Sequence, residues 1–337
     1  MKSSPITIKD IAKILGVSPS TVSRALKDHP DISEGTRNMV KTFAQKVNYR
    51  PNALALSLRS QKTKTLGLII PEIVHHFFSS VISGMEDLAY GEGYHIMVCQ
   101  SAENFHREVI NTQALLDLRV DGLLVSVSKT TKNFDHLKNA MQDGTPIVFF
   151  DRVSDQVETD KIVIDDFEGA RMATTHLIET GAQKILHLSA PLHLLIGKNR
   201  YEGYCMALRD HNIEVEEKLV LKCDTRENVL SLQKHILALA PEIDGVFAVN
   251  DSTAIAAMQV LQANGFQIPK DIGVVGFGDG PNATISSPTL TTVEQKGYEM
   301  GREAVRLLIQ RLANPGVKIG YQTKVIAPFL IKRNSTK

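Results

Sequence analysis

The stretch "VSPSTVSRAL" (Val17–Leu26) has the pattern of a short helix with a well-marked beginning. Ser18 is a good N-cap, and Pro19 suits the first helical position, where its missing N–H costs nothing. One face of the predicted helix is apolar and the other is small, polar and basic. The apolar face comprises Val22, Ala25 and Leu26, and the outward face comprises Ser20, Ser23, Arg24 and Lys27.

A second helix is predicted just before this stretch, in "ITIKDIAKILG". Its apolar residues recur at offsets of three, four and seven, which predicts one buried face: Ile8, Ile11, Ala12 and Leu15. Thr7 is placed to cap this helix and Gly16 to end it. Two short helices joined by a tight Gly-Val turn predict a helix-turn-helix, the second helix of which enters the major groove of DNA.

The distribution of charge agrees with a DNA-binding head. Residues 1–62 contain eleven Lys and Arg against four Asp and Glu, a net charge of +7, which leaves −6 on the rest of the chain. Neutralisation of phosphates by such a segment supplies affinity for DNA that does not depend on sequence. The alternative is a solvated basic face on a small helical cap, but the capping, the turn and the charge together favour DNA binding.

A third helix and a linker follow the helix-turn-helix. Ser33 caps the third helix, whose predicted buried stripe is Met39, Val40, Phe43, Ala44 and Val47. The chain then breaks at "NYRP", since the residue before Pro51 is biased away from helix. "NALALSLRS" has good helix formers after Asn52, but it is too short to be a stable helix alone.

Composition indicates an ordinary globular protein of two or three domains. The chain has 337 residues, of which 43% are apolar and 22% charged. Its three cysteines are scattered and none forms a C-x-x-C pair, which indicates reduced thiols in the cytoplasm. "MKSSPITIKD" lacks the apolar core of a signal peptide, and no apolar run is long enough to span a membrane. We therefore expect a cytoplasmic protein.

From Leu66 onwards apolar strands alternate with amphipathic helices. This alternation predicts an α/β fold with parallel sheets covered on both faces, and its length suits two doubly wound lobes. A last helix is predicted at Val293–Leu312. The predicted strands are "LGLIIPEI", "YHIMVCQS", "DGLLVSVS", "PIVFFD", "KIVID", "KILHLSA", "KLVLKC", "DGVFAVND", "DIGVVGFGD" and, last, "KVIAPFLI".

Polar and aromatic side chains follow several of these strands at their carboxyl ends, where doubly wound sheets bind ligands. They are His75, His76, Phe77, Phe78, Asp151, Arg152, Asn250, Asp251 and Asp279, together with Arg200 and Gln295 on nearby helices. Such a set suits a small polar ligand such as a sugar. For single members a structural role is equally open: Phe77 or Phe78 as core residues, and Asp165, Asp166 or Asp251 as helix caps.

Enzyme motifs are missing from the sequence. "GFGDGP" (Gly276–Pro281) resembles a dinucleotide loop, but Pro281 replaces its final glycine and it follows the last strand of a lobe. There is no phosphate-binding P-loop and no G-x-S-x-G elbow, and His75 and His76 are adjacent, unlike paired zinc histidines on one helix face. We therefore expect a protein that is not an enzyme and has no cofactor or metal.

The order of these motifs resembles the lactose-repressor (LacI/GalR) family of bacterial transcription regulators. The matching residues are "TIKDIAKILGVSPSTVSRAL", then "ISEGTRNMVKTFAQKVNYRPNALALSLRS", then the alternating body. The resemblance implies two lobes of the periplasmic-binding-protein type behind the helix-turn-helix. It implies four parts: a head (1–50), a hinge helix and linker (51–64), an N-terminal lobe (65–164 plus 293–322) and a C-terminal lobe (165–292 plus 323–337).

The resemblance also implies roles for individual residues. Base readers would be Pro19, Ser20 and Arg24; caps or phosphate contacts would be Thr7, Ser18, Thr21, Ser23 and Asn52; and the leucine lever of the minor groove would be Leu58. Effector contacts would be Phe77, Phe78, Asp151, Arg200, Asn250 and Gln295, joined by His76 from its place after the first strand. Many family members carry an acid at the position of Gly278, and here Asp279 could replace it.

The resemblance thus implies a repressor that binds a palindromic operator as a homodimer and responds to a small molecule, a carbohydrate. A sugar-binding receptor without DNA function would leave the basic head unexplained. A nucleoid-type DNA binder without a ligand would leave the polar residues at the strand ends unexplained.

Overall fold

The computed structural model describes residues 6–49, 62–314 and 320–337. The chain divides into two compact units, residues 1–63 and 64–337, here called the head and the body. Within the described residues, no helix is both long enough and apolar enough to cross a membrane.

In residues 6–49 the head contains three helices, α1 (Ile8–Leu15), α2 (Pro19–Ala25) and α3 (Glu34–Lys46). Thr7, Ser18 and Ser33 cap them as predicted, and Gly16 ends α1 in the left-handed conformation, with φ of 67°. The core is small and its centre is fully buried: Ile11, Ala12, Val22, Ala25, Val40 and Ala44. Of the predicted stripe of α3, Val40 and Ala44 are buried as expected, but the prediction for Met39 is wrong, because 42% of it is exposed.

The body contains twelve strands in the described residues. They are β1 (Thr65–Ile70), β2 (His95–Gln100), β3 (Gly122–Val125), β4 (Ile147–Phe150), β5 (Asp160–Ile164), β6 (Ile185–Ser189), β7 (Val220–Lys222), β8 (Gly245–Ala248), β9 (Gly273–Gly278), β10 (Thr291–Glu294), β11 (Thr323–Ile326) and β12 (Phe329–Ile331).

Helices lie between most of these strands. They are α4 (His76–Gly91), α5 (Phe105–Asp117), α6 (Asp135–Gln142), α7 (Asp166–Glu179), α8 (Leu195–Asp210), α9 (Arg226–Ser231), α10 (Gln233–Leu239), α11 (Asp251–Ala263), α12 (Pro281–Ile285) and α13 (Gly297–Ala313). Two short 3₁₀ segments are Glu217–Leu219 and Ala240–Glu242.

The strands form two six-stranded sheets, one in each lobe. The first has the order β11-β5-β4-β3-β1-β2 and is wholly parallel; the second has the order β12-β10-β9-β8-β6-β7, with only β12 antiparallel. Fully buried strands such as β3, β4 and β8 are continuous apolar runs because helices cover both faces. The predicted pair of doubly wound lobes is confirmed.

The segments from residue 293 onwards, which cross from one lobe to the other, differ from the prediction. Residues 293 and 294 belong to strand β10 of the second sheet, and the last helix begins only at Gly297. The predicted final strand is two strands, because Pro328, which lacks an N–H, separates them. Residues 323–326 pair with β5 in the first sheet, so their assignment to the C-terminal lobe is wrong.

Two glycines let helices α4 and α13 approach closely on the first lobe. A Cβ atom at Gly84 would overlap the carbonyl oxygen of Tyr298, and one at Gly301 would overlap that of Val81. Any side chain at either position would therefore push the helices apart.

Candidate functional site

On the head, the N-terminus of α2 is held by a group of hydroxyls. The Ser18 Oγ accepts from the Thr21 amide at 3.0 Å and lies 2.7 Å from the Ser20 Oγ and 2.8 Å from the Thr21 Oγ1. Thr7 forms a capping box with Asp10, whose carboxylate accepts from the Thr7 amide at 2.9 Å. These contacts lower the pKa of the Asp10 carboxyl. Ser18 and Thr7 therefore act first as caps.

The outward face of α2 carries the predicted base readers. Pro19, Ser20 and Arg24 are exposed, and the Arg24 side chain is 57% accessible and forms a distant ion pair with Asp31, 4.0 Å away. Thr21 and Ser23 are half-buried. Asn52 and Leu58 lie outside the described residues. The head thus has an exposed guanidinium and an exposed serine on one short helix.

Between the lobes, Arg200 on α8 forms a buried ion pair with Asp166 at the start of α7. The Arg200 Nε donates to the Asp166 Oδ1 at 2.7 Å, and one terminal nitrogen donates to the Val249 carbonyl at 2.6 Å. Its guanidinium also stacks on the Phe277 ring at 3.7 Å. Burial raises the pKa of Asp166, and Arg200 opposes that shift.

The two neighbouring acids at the start of α7 have different roles. The Asp165 carboxylate accepts from the Glu168 amide and caps the helix, whereas Asp166 holds Arg200. The sequence left a helix-capping role open for both acids, and of the two it is Asp165 that caps the helix. The ion pair fixes the guanidinium of the predicted effector residue.

Asp151 follows strand β4 and is buried close enough to Asp166 and Arg200 to interact with both electrostatically. The region between the lobes that these residues line, at the carboxyl ends of the strands, is here called the cleft. It has a left-handed backbone, with φ of 58°, and its Oδ2 accepts from the Ser126 Oγ at 3.3 Å. Burial raises its pKa to about 6, Arg152 and Arg200 oppose the shift, and the nearby Asp166 adds to it. A carboxyl that titrates near neutral pH can either accept from or donate to a ligand hydroxyl.

Asn250 and Asp251 organise the loops of the second lobe around the cleft. Asn250 caps α11, since its Oδ1 accepts from the Thr253 amide, and its amide donates to the Asp224 carbonyl, both at 2.8 Å. Asp251 is therefore not the cap. Its carboxylate accepts from Thr292 on β10 and from the Gly280 amide at 2.9 Å, and burial raises its pKa.

Gly278 is the position at which the resemblance noted above leads one to expect an acid. A Cβ atom there would be 3.3 Å from the Asp251 Oδ2 and 3.7 Å from the Gln295 Oε1, so these two side chains face that spot. Asp279 forms an ion pair with Arg333, with Oδ1 and a terminal nitrogen 2.6 Å apart. Its carboxylate is thus already engaged, which weakens its case as a replacement for the acid.

The predicted aromatic contacts have different surroundings. Phe78 is buried in the core of the first lobe, which is the structural role left open for it. Phe77 is half-buried and meets Phe78 edge to face, with ring centroids 5.2 Å apart. His76 is exposed, and its Cβ would be 3.3 Å from a Cβ built at Gly280 of the second lobe. His76 therefore lies close to Gly280 of the second lobe.

Four further polar residues lie at the cleft and have no role in the sequence prediction: Glu103, Lys129, His193 and Asp224. They are linked to Arg152, which the sequence does place after a strand. Arg152 donates to both oxygens of Glu103, at 2.7 and 2.8 Å, and Glu103 also accepts from the Lys129 amide at 2.8 Å. Lys129 in turn contacts Asp224 and His193 of the second lobe. Glu103, Lys129 and Asp224 follow β2, β3 and β7, so the strand-end rule could have found them.

Comparison with known proteins establishes the family. Residues 7–52 match the family described as bacterial regulatory proteins, lacI family, and residues 63–333 match the one described as periplasmic binding proteins and sugar binding domain of LacI family. The chain belongs to the LacI family. It is therefore a bacterial regulatory protein with a helix-turn-helix head and a body of the sugar-binding type, and it is not an enzyme.

Individual relatives cover nearly the whole chain. The chain is 33% identical to the HTH-type transcriptional repressor PurR of Vibrio atlanticus and 31% identical to that of Mannheimia succiniciproducens, with 98% of each chain covered. Among solved structures, the lac repressor dimer bound to operator and the anti-inducer ONPF has a TM-score of 0.85 and 25% identity over 99% of both chains. The transcriptional regulator CelR–cellobiose complex has a TM-score of 0.74 and 28% identity, covering 98% and 99%.

Proposed function

We propose that this LacI-family protein is a transcriptional repressor that binds a palindromic operator as a homodimer. A small polar ligand, a sugar or sugar derivative, binds in the cleft and thereby lowers or raises the affinity for the operator. The observation that carries the proposal is one chain with two kinds of site: exposed Ser20 and Arg24 on a capped helix, and buried Asp151 and Arg200 between two lobes. Two similar solved structures, a lac repressor dimer bound to operator and a CelR–cellobiose complex, support it.

On the DNA side, Arg24 is the residue best suited to read a base. Its guanidinium can bond a guanine bidentately, which discriminates by about 1–3 kcal/mol. Ser20 would read a second position with less selectivity, and Pro19, which has no donor, would contact a thymine methyl group or sense groove shape. Thr7, Ser18, Thr21, Ser23 and Asn52 would serve as caps and backbone contacts, and Leu58 would wedge into the minor groove.

A homodimer follows from the size of the head and from the surface of the first lobe. One three-helix head buries too little DNA surface for tight, specific binding, so two heads on one operator are needed. On the first lobe, Val74, just before α4, and Tyr90, near its end, are highly exposed, and Met97 and Val98 on the edge strand β2 are 38% and 37% exposed. Exposed apolar groups of this kind favour an interface.

A protein that binds operators works in the cytoplasm, where bacterial DNA lies.

On the ligand side, the cleft combines a buried acid, two guanidinium groups and two amides. Asp151, Arg152, Arg200, Asn250 and Gln295 supply donors and acceptors, and Phe77 and His76 border them. Bidentate and charge-assisted bonds to neighbouring hydroxyls are the usual recognition of sugars by such groups. Solved relatives bound to ribose, D-xylulofuranose and cellobiose support a carbohydrate.

The DNA half of the proposal is tested with duplexes selected by the purified chain from a random pool. Arg24→Ala should lower affinity for the selected duplex about 10- to 100-fold and flatten the preference among its single-base variants. Lys27→Ala, on the same exposed face, should weaken all duplexes alike and reduce the salt dependence. An Arg24→Ala protein with unchanged base preference would reject the assignment.

The ligand half is tested by thermal shift with mono- and oligosaccharides, sugar acids and sugar phosphates. A compound that binds the folded body should raise the melting temperature in proportion to the logarithm of its concentration. Asp151→Asn should abolish that shift, while Lys234→Met, an exposed change on α10, should leave it intact. A shift that survives Asp151→Asn would place the ligand elsewhere.

A further inference from the structure

The lip of the cleft carries an ion pair that joins the two lobes. The Lys129 Nζ, in the loop after β3 of the first lobe, lies 2.6 Å from the Asp224 Oδ2, in the loop after β7 of the second. Their side chains are 26% and 13% exposed, so the pair is partly shielded from solvent. Shielding strengthens an ion pair relative to one on an open surface.

A second contact joins the same two loops. The His193 Nε2, in the loop before α8, donates to the Lys129 carbonyl at 3.0 Å. Lys129 thus contacts the second lobe through its ammonium and through its backbone. Both contacts must break if the lobes separate at this edge.

The Lys129 loop is itself fixed to the first lobe by two glutamates. Glu103 accepts from the Lys129 amide at 2.8 Å, and the fully buried Glu108 accepts from the Ser128 amide at 2.7 Å and from the Thr131 hydroxyl at 2.9 Å. On the other side, the Asp224 carbonyl accepts from Asn250, a predicted effector residue. The ion pair therefore connects two rigid supports rather than two flexible loops.

We propose that Lys129 and Asp224 form a latch that holds the cleft closed in the absence of ligand, so that the latch sets how readily an effector enters and how strongly it shifts the protein between its two states. A ligand changes such an equilibrium only by its differential affinity for the two states, and the latch adds to the closed side before ligand arrives. This proposal deepens the proposed function, since it takes the cleft as the effector site.

Pulsed dipolar spectroscopy of the full chain measures the closure directly, without DNA or effector. Spin labels go on Lys132→Cys and Glu227→Cys, both exposed and each three residues beyond a latch residue, in a Cys99→Ser background. Cys205 and Cys223 are buried. Labelled chain is mixed with excess unlabelled chain, so that distances within one protomer dominate.

The native chain should give one short distance. Lys129→Met should add a longer distance and raise the ratio of open to closed molecules about tenfold, which corresponds to about 1.4 kcal/mol. Exchange of the two charges, Lys129→Asp with Asp224→Lys, should restore the short distance. Lys234→Met, which removes a charge from an exposed site on α10, is the control and should change nothing.

A Lys129→Met protein with an unchanged distance distribution would overturn the latch, as would a charge exchange that fails to restore closure. Either result would leave the operator and thermal-shift tests unaffected. The latch and the proposed function can therefore fail separately.

Discussion

The head and the cleft use polar side chains in opposite ways. On the head, Arg24 is largely exposed and only distantly paired, and the hydroxyls of the α2 N-terminus bond one another. In the cleft, Arg200 is buried, paired with Asp166 and stacked on Phe277. DNA would thus contact a guanidinium that is exposed to solvent. A small ligand in the cleft would instead contact side chains that already form hydrogen bonds and ion pairs with one another.

Because of this difference, a substitution on the exposed face of the head can impair DNA recognition without lowering stability. A substitution of the paired residues in the cleft should impair ligand binding and stability together. An exposed arginine contributes little to folding, so its loss costs only recognition. A buried ion pair that loses one partner leaves an uncompensated charge, which costs far more than the pair itself contributes. Substitutions in the two regions should therefore give different patterns of damage.

The largest effect is expected from Arg200→Ala. It leaves Asp166 buried without its partner, and the free energy of unfolding of the body should fall by about 3–5 kcal/mol. Urea denaturation followed by circular dichroism measures this. Arg209→Ala, an exposed arginine on the same helix, should change it by less than about 0.5 kcal/mol.

The companion variant Arg200→Ala/Asp166→Asn separates charge from packing. It should recover part of the lost stability, because the unpaired charge is gone. Equal losses in the single and the double variant would show that stacking on Phe277, and not the ion pair, is what Arg200 contributes.

A smaller loss is expected where helices α4 and α13 touch. Gly84→Ala places a methyl group against the Tyr298 carbonyl, so the helices must separate and stability should fall by about 2 kcal/mol. The control is Gly91→Ala at the end of α4, where nothing lies within 4 Å of the added Cβ. Equal melting temperatures for the two variants would contradict the close helix contact.

The smallest effect concerns the ionisation of Asp151. Its pKa is about 6 in the folded chain against 3.8 for an ordinary Asp, so the folded state binds this proton more tightly than the unfolded state. The proton on Asp151 therefore stabilises the folded state when the pH is below 6, and this stabilisation is lost as the pH rises through 6. Between about pH 5 and about pH 7.5 the native chain should lose about 1 kcal/mol relative to Asp151→Asn.

Urea denaturation of both proteins at the two pH values gives that difference. His187, whose pKa burial lowers to about 4, changes stability in the opposite direction, but it is common to both proteins and cancels. A difference between native and Asp151→Asn proteins that stays constant with pH would show that Asp151 is ionised throughout.

The head was easy to predict because its signals are local. Caps, the proline at the first helical position and the glycine after α1 act within four residues, and each formed as expected. Strand β10 was missed because two of its buried residues, Thr291 and Thr292, are polar. Their hydroxyls donate to distant groups, the Arg333 carbonyl and the Asp251 carboxylate respectively. No local pattern reveals such partners.

For the cleft, the sequence predicts which residues line the site but not which side chains they pair with. Asp151 and Arg200 were found because they follow strands or resemble the family pattern. Their partners Ser126 and Asp166, and the Lys129–Asp224 pair, depend on which loops meet in three dimensions. The sequence therefore indicates which residues can bind a ligand more readily than it indicates how those residues are paired with one another.

The most direct test of the whole account is the affinity of the full chain for its selected duplex, measured by fluorescence anisotropy with and without the sugar that gives the largest thermal shift. The dissociation constant should change at least about tenfold in one direction, corresponding to a coupling of about 1.4 kcal/mol or more. A sugar that binds the cleft while the affinity for DNA stays the same would contradict control of the head by the cleft.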